Sequence, residues 1–120
     1  MRIITKPWGK EEWLELNDKY CYKKIYLNKG KRTSFQYHEK KLETSYVLSG
    51  KIEVWLENER GEVEKKIRNP GDYFTIAPPR KHRVVALEDA IYLEVSTPEV
   101  DDVIRIEDDF ARAEEKKANN

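Results

Sequence analysis

The sequence predicts an all-β domain folded as a small jelly roll, and two observations support this. Apolar and polar residues alternate along several short segments, which is the pattern of half-buried strands rather than of helices. Turn signals rich in Gly, Pro, Asn and Asp separate these segments every ~10 residues. Many short strands with regular turns are typical of β-sandwiches and barrels.

The clearest strand covers residues 51–57. Ile52, Val54 and Leu56 share one face of it, while acidic side chains and a tryptophan occupy the other. A turn after it leads to an antiparallel partner, so the two segments form a hairpin. The other predicted strands span residues 22–27, 33–37, 45–48, 63–67, 73–76, 82–87 and 90–96.

The chain of 120 residues and 14.3 kDa predicts one domain. Its core is expected at about residues 20–100, with residues 1–19 as an N-terminal arm and residues 101–120 as a C-terminal segment. Within that segment, residues 108–118 have the composition of a short, solvated helix. We therefore expect one jelly-roll domain, 1–120, with a short C-terminal helix.

Composition argues against several classes of partner. Lysine plus arginine equals aspartate plus glutamate, so the net charge is zero and no basic block indicates nucleic-acid binding. No apolar run predicts a signal peptide or a membrane span. Cys21 is the single cysteine, so no internal disulfide can form, and a reducing cytoplasm is the expected location.

Four potential metal ligands occur in a suggestive pattern. His38 and His82 are the two histidines of the chain, and Gln36 is its single glutamine. Gln36 and His38 are two residues apart, so on a strand they project to the same side. Glu43 opens the following strand, and His82 arrives from a strand after a double-proline turn. These four side chains could converge on one ion.

The ligand types favour a Lewis-acid site. Imidazole suits Zn, Fe, Ni, Co or Mn, a carboxylate compensates charge, and an amide oxygen is a weak neutral donor. Such a set leaves one or two positions for water or substrate, as in a catalytic site. We expect one divalent ion, with Zn or Mn favoured. Gln36 is the weakest ligand, since it could merely hydrogen-bond within the barrel.

Several cations are candidates for contact with a ligand. Alternation places Lys23 on the inward face of its strand, where a buried ammonium needs an anion or loses its proton. Lys23 is thus a candidate for substrate contact or proton transfer. The candidates for binding an anionic group are Arg32, Lys41, Arg80 and Arg105.

The spacing of the ligands resembles the cupin superfamily. Residues 30–50 match its first motif with Gln36 in place of the usual first histidine, and residues 71–82 resemble its second motif. The second motif departs from the pattern at Pro79, where a glycine is usual, and at Ala86, where an asparagine is usual. The resemblance implies a cupin jelly-roll barrel with a metal in its interior.

A narrower resemblance covers about residues 6–112. The segments 6–9, 22–25, 30–38 and 101–112 are similar to the type II mannose-6-phosphate isomerase domain, which often follows a guanylyltransferase domain. It implies a divalent ion and the interconversion of an aldose phosphate with a ketose phosphate. Arg105 lies in the C-terminal motif, so we expect it to act with Lys23 at the reacting sugar. Departures from the family occur at Lys41, where an arginine is usual, and at Thr44 and Ser45.

The function expected from these features is metal-dependent isomerisation of a sugar phosphate, most simply mannose 6-phosphate with fructose 6-phosphate. The ion would stabilise an enediolate while a proton moves between C1 and C2, with Glu43 as a ligand and not the base. Lys23 in its neutral form is one candidate base, and a hydroxide held by the ion is the other. Two alternatives are a non-catalytic cupin that binds a carbohydrate or metabolite, and another metal cupin enzyme such as an iron oxygenase.

Two other features have simpler expectations. The tryptophans Trp8, Trp13 and Trp55 are expected at edges or at a dimer face, and the outward position of Trp55 indicates a homodimer. The acidic clusters 101–102 and 107–109 could hold a second metal, but salt bridges with Arg105 and Arg112 explain them more simply.

Overall fold

The computed structural model describes residues 1–110, whose regular secondary structure consists of strands. No helix among those residues is long and apolar enough to cross a membrane. The strands are β1 (Arg2–Lys6), β2 (Gly9–Leu16), β3 (Cys21–Leu27), β4 (Phe35–Tyr37), β5 (Glu43–Ser49), β6 (Ile52–Glu57), β7 (Val63–Arg68), β8 (Tyr73–Ile76), β9 (His82–Ala86), β10 (Ala90–Ser96) and β11 (Ile104–Glu107).

Two antiparallel sheets face each other. The six-stranded sheet has the order β1-β2-β3-β10-β5-β8, and the five-stranded sheet has the order β11-β4-β9-β6-β7. This arrangement confirms the predicted all-β jelly roll. The apolar core between the sheets contains Trp8, Ile25, Leu27, Val47, Ile52, Val54, Phe74, Ile76, Val84, Ala86, Ala90 and Tyr92.

Alternation along the strands decides which residues face the interior. In β3, Cys21, Lys23, Ile25 and Leu27 are buried, and the residues between them are partly exposed. The same alternation runs along β5 and β10, and β10 lies between β3 and β5 and pairs with both. Polar residues at the buried positions of these strands therefore face the space between the sheets.

The N-terminal arm contains two strands. β1 and β2 form a hairpin, and β2 pairs with β3, so the arm extends the six-stranded sheet. The sequence predicts no strand here, because half of the residues of β2 are charged and only Glu11 within it is fully buried. Trp8, in the turn between these strands, is buried in the core.

The C-terminal segment begins with a strand that pairs with β4 at the edge of the five-stranded sheet. Beyond it, Asp109 accepts two hydrogen bonds from Arg32, which fixes the chain against this sheet. The predicted helix at residues 108–118 falls largely outside the described residues, and residues 109–110 form a turn.

Candidate metal centre

Three of the four predicted ligands lie together between the sheets. Nε2 of His82 lies 3.4 Å from Oε1 of Glu43, and Nε2 of His38 lies 3.7 Å from the same oxygen. One donor atom from each residue falls within 4.8 Å of the others, and all three side chains are buried. The structure therefore brings a carboxylate and two imidazoles to one point, as a divalent ion requires.

The hydrogen bonds of the two histidines favour the tautomer that binds metals. Nδ1 of His38 donates to the backbone carbonyl of Asp102, and Nδ1 of His82 donates to the carbonyl of Arg80 at 3.0 Å. A neutral imidazole with a proton on Nδ1 has its lone pair on Nε2. Both Nε2 atoms are buried and have no hydrogen-bond partner, so a cation would complete their coordination.

The charges at this point also suit a cation. Burial lowers the pKa of His82 despite the attraction of Glu43, which favours the neutral imidazole that a metal needs. Burial opposes ionisation of Glu43, but His38, Lys41 and His82 together outweigh it and hold the pKa of Glu43 well below its usual range. A negative carboxylate thus lies between two imidazole lone pairs.

Gln36 lies beside this trio. It is the register partner of His82 across β4 and β9, and its side chain lines the same pocket. Its Oε1 accepts a hydrogen bond of 2.6 Å from Ser34 Oγ. A carbonyl oxygen has a second lone pair, so this contact orients the amide and leaves it able to serve as a further ligand.

Lys41 forms ion pairs with two carboxylates. Its Nζ lies 3.1 Å from Oε2 of Glu43 and 3.3 Å from Oε2 of Glu94. Burial disfavours the ammonium, but the two carboxylates outweigh that effect and raise the pKa of Lys41. Burial and the charge of Glu43 raise the pKa of Glu94 to about 7. Lys41 therefore neutralises the carboxylates of Glu43, which belongs to the trio, and of Glu94.

A pocket with a cavity volume of about 110 Å³, partly open to solvent, extends from these residues. Lys23, buried as predicted, lies in its wall with Nζ 3.5 Å from Oε1 of Glu11 and 4.4 Å from the centre of the Trp13 ring. Trp13 Nε1 donates to the same Glu11 oxygen at 2.9 Å. Arg105 and Lys6 also line the pocket.

Arg32 and Arg80, proposed from the sequence as substrate contacts, do not line this pocket. Arg32 forms two hydrogen bonds with Asp109, and its guanidinium lies 5.9 Å from the centre of the Trp55 ring. Nη2 of Arg80 lies 3.9 Å from the exposed carboxylate of Glu59. Each of these arginines therefore contacts a carboxylate outside the pocket.

The tryptophans also differ from expectation. Trp8 and Trp13 line the pocket instead of lying at an edge or a dimer face. Trp55 points outward as predicted, but the chain's own cations cover it, with Lys65 Nζ at 3.9 Å and the Arg83 guanidinium at 5.5 Å from the ring centre. A second subunit is not needed to cover this ring.

Several polar residues of the site could not be found from the sequence. Glu11 belongs to the N-terminal arm, for which the sequence predicts no strand. Glu94 lies at an inward position of β10, and the alternation along that strand is the only sequence signal that it is buried. The carboxylate of Asp102 accepts hydrogen bonds from the backbone N–H groups of residues 39–41, in the loop between His38 and Glu43. The carboxylate of Asp102, in the acidic cluster 101–102, thus holds this loop.

Part of the sequence of two longer proteins is similar to this chain. Mannose-1-phosphate guanylyltransferase ManC of Salmonella typhimurium is 29% identical over 116 residues, which cover 92% of this chain and 23% of that protein. The corresponding enzyme of Escherichia coli is 28% identical over the same length and covers the same shares. The chain thus spans about a quarter of the length of these curated relatives.

Solved structures share the fold. KdgF from Halomonas sp. aligns with a TM-score of 0.72 and 26% identity, over 84% of this chain and 91% of that one. An RmlC-like cupin from Shewanella frigidimarina aligns with a TM-score of 0.70 and 24% identity, over 82% and 85% of the two chains. The second similarity, at this identity, concerns the fold alone.

The family model described as "Cupin domain" matches residues 24–96. This stretch runs from within β3 to the end of β10 and includes Gln36 and the three residues that could hold a metal ion. The match covers more than half of the chain and includes strands of both facing sheets. The chain therefore belongs to the cupin domain family.

Proposed function

We propose that this cupin is a metal-dependent isomerase that interconverts an aldose phosphate and a ketose phosphate, most simply mannose 6-phosphate and fructose 6-phosphate. The observation that carries the proposal is the meeting of a metal-binding trio with buried cations in one pocket. The trio supplies a place for a Lewis acid, while Lys23 and Arg105 supply positive charge for an anionic sugar.

The ligand set supports the choice of reaction. His38, Glu43 and His82 would hold the ion, and Gln36 would complete the set. When bound there, the ion would supply the Lewis acidity that the interconversion of an open-chain aldose and ketose requires.

The contacts of Lys23 support a role in binding. A carboxylate on one side and an aromatic ring on the other are the contacts that hold an ammonium. We therefore assign Lys23 to the anionic group of the substrate rather than to proton abstraction. Lys6 lies close enough to reinforce the positive charge at this wall, since both lysines act on the ionisation of Glu11.

Arg105 supports the proposal from the other sheet. It is the register partner of Gln36 across β11 and β4, and it lines the pocket. A guanidinium can bind a phosphate through two parallel hydrogen bonds. Lys23 and Arg105 line the same pocket as the trio, from opposite sheets.

The similar proteins are consistent with this chemistry. Both curated relatives are named for mannose 1-phosphate, a phosphorylated mannose. Their names describe the transfer of a nucleotidyl group by a longer protein, and the isomerase assignment for this chain rests on its own pocket and on its resemblance to the type II mannose-6-phosphate isomerase domain.

The test is a direct assay with defined metals. Protein stripped of metal is loaded with Zn, Mn or Co and given mannose 6-phosphate without oxygen, and fructose 6-phosphate is detected by NMR. We expect product with at least one ion and its loss in His82→Ala, while the Asp101→Ala control remains active. Absence of product with every ion would contradict the proposal. Sugar phosphate binding without turnover would instead favour a non-catalytic binding domain.

A further inference from the structure

One half of the six-stranded sheet has an apolar outer face. Tyr73, Tyr46 and Leu93 are neighbours in register on β8, β5 and β10, and their side chains point away from the core. A second row lies beside the first. It consists of Thr75, Thr44 and Val95.

This face extends further along the strands. Leu42, just before β5, and Leu48, near its end, are both exposed. Within the second row, the hydroxyls of Thr44 and Thr75 lie 2.9 Å apart and bond to each other. Each threonine hydroxyl is therefore hydrogen-bonded to the other, and their methyl groups add to the apolar surface of this face.

The other half of the same face is charged. Leu93 is followed in its row by Lys24 on β3 and then by Glu12 on β2. Lys10 lies 3.7 Å from Glu12 and 4.5 Å from the centre of the Tyr26 ring. Charged groups make up 38% of the chain, so their absence from β5, β8 and β10 on this side is a local feature.

The size of the apolar half suits a subunit contact. Tyr73 is 70% exposed and Tyr46 is 46% exposed, Leu42, Leu48 and Val95 are 45%, 42% and 47% exposed, and Leu93 is partly exposed. With ordinary side-chain areas, these fractions amount to roughly 600 Å², close to the ~800 Å² that each partner contributes to a standard interface. A patch of this size is at the upper end of what monomers expose.

We propose that the outer face of β5, β8 and β10 joins two copies of this chain in a symmetric dimer. A two-fold contact places each residue of the face against itself or its neighbours, so like charges would repel across it. The outward positions of β5, β8 and β10 carry no charged residue, and the net charge of the chain is zero. A second copy therefore meets no electrostatic opposition.

The alternative face is less suitable. The outward tryptophan of the five-stranded sheet, Trp55, is already covered by Lys65 and Arg83. Asp109, at the end of the described chain, is bound to Arg32 near that ring. The dimer contact that the sequence suggested at Trp55 is thus assigned to the other sheet.

The experiment is sedimentation velocity of the full-length protein from about 1 to 200 µM. We expect a species of twice 14.3 kDa for the parent protein. Tyr46→Glu and Tyr73→Glu each bury like charges at the two-fold contact, so the dissociation constant should rise by ~100-fold or more. The matched control is Ile67→Glu, at an apolar residue of β7 that is 52% exposed, and it should leave the dimer intact.

Two outcomes would overturn the proposal. One is a parent protein that remains monomeric over the whole concentration range, and the other is a dimer that survives both tyrosine substitutions. Far-UV circular dichroism confirms that each variant is folded. If a tyrosine variant does not fold, Thr75→Lys tests the same face at an exposed position, and persistence of its dimer counts equally against the proposal.

Discussion

Asp102 accepts a hydrogen bond from His38 Nδ1 through its backbone carbonyl, while its carboxylate accepts hydrogen bonds from the N–H groups of Glu39, Lys40 and Lys41. One residue thereby fixes both the imidazole tautomer and the loop that leads to Glu43. Such outer contacts tune the affinity of a site without touching the ion.

The Asp102→Ala substitution should weaken metal binding. It keeps the carbonyl that holds His38 but removes three hydrogen bonds to the loop. We expect the dissociation constant for Zn or Mn to rise by ~10-fold or more. Isothermal titration calorimetry measures it, and Asp101→Ala is the control because Asp101 is exposed. Equal affinities for the two variants would show that the loop contacts do not position the ligands.

The same variant should change how stability depends on pH. The three N–H donors hold the pKa of Asp102 below its ordinary value in spite of the opposing effect of burial. A lowered pKa stabilises the folded state above the unfolded pKa, and the contribution is lost as pH falls through the folded pKa. The stability difference between parent and variant should therefore be full at pH 7 and shrink below pH ~4. Urea unfolding followed by circular dichroism at several pH values measures it.

Metal binding should stabilise the folded protein. Two imidazole nitrogens without partners and one ionised carboxylate meet only in the folded chain, so an ion binds the folded state in preference. At a free metal concentration 100 times the dissociation constant, the gain is ~2.7 kcal/mol. Differential scanning calorimetry should show a rise in Tm that EDTA reverses. The rise should disappear in His82→Ala, and an equal rise in that variant would place the ion elsewhere.

Lys41→Met should destabilise the protein strongly. The ammonium lies between Glu43 and Glu94, and its removal leaves two buried carboxylates without their shared cation. Breaking one partner of a buried ion pair costs ~3 kcal/mol or more. The matched control is Lys40→Met, at an exposed neighbouring position. Urea unfolding of the metal-free proteins gives the comparison, and a loss below 1 kcal/mol in Lys41→Met would mean that Lys41 does not neutralise this pair.

Much of the fold could be predicted because it depends on local alternation. Ile52 and Val54, taken from the period of two, are core residues in the structure. The spacing of Gln36 and His38 on one side of a strand, and the position of Glu43 at the start of the next, likewise needed only strand geometry.

The remaining features depend on contacts between distant parts of the chain. Arg32 and Asp109 are 77 residues apart, so no local pattern could show that this arginine turns away from the pocket. β2 was not predicted because it lacks the apolar alternation of a strand. Its one fully buried residue is the charged Glu11, which lines the pocket and does not belong to the apolar core. Buried polar residues interrupt the apolar pattern at a functional site.

Substitutions of two arginines should distinguish a residue that lines the pocket from one that lies outside it. Arg105 lines the pocket, whereas Arg32 binds Asp109 outside it. We expect Arg105→Met to raise the KM for mannose 6-phosphate by ~10-fold or more, because a charge-assisted contact to phosphate is lost. Arg32→Met should leave KM unchanged. A large effect of Arg32→Met with none of Arg105→Met would reverse the assignment of these two residues.

Two glycines with the same backbone conformation provide a test of packing. Gly50 and Gly61 have φ values of 81° and 80°, so alanine at either position adopts a conformation that L-residues disfavour by ~1 kcal/mol. A Cβ on Gly50 would lie 2.1 Å from the Asp89 carbonyl oxygen and 2.7 Å from the Ala90 Cα, whereas a Cβ on Gly61 meets nothing within 4 Å.

The contact at Gly50 is with backbone, so no side chain can rotate to relieve it. The chain must shift either where β5 turns toward β6 or where β10 begins, and β10 pairs with β5 near the site. We therefore expect Gly50→Ala to lose ~2 kcal/mol or more beyond Gly61→Ala, measured by urea unfolding. Equal losses would mean that the approach between this turn and β10 is loose enough to accept a methyl group.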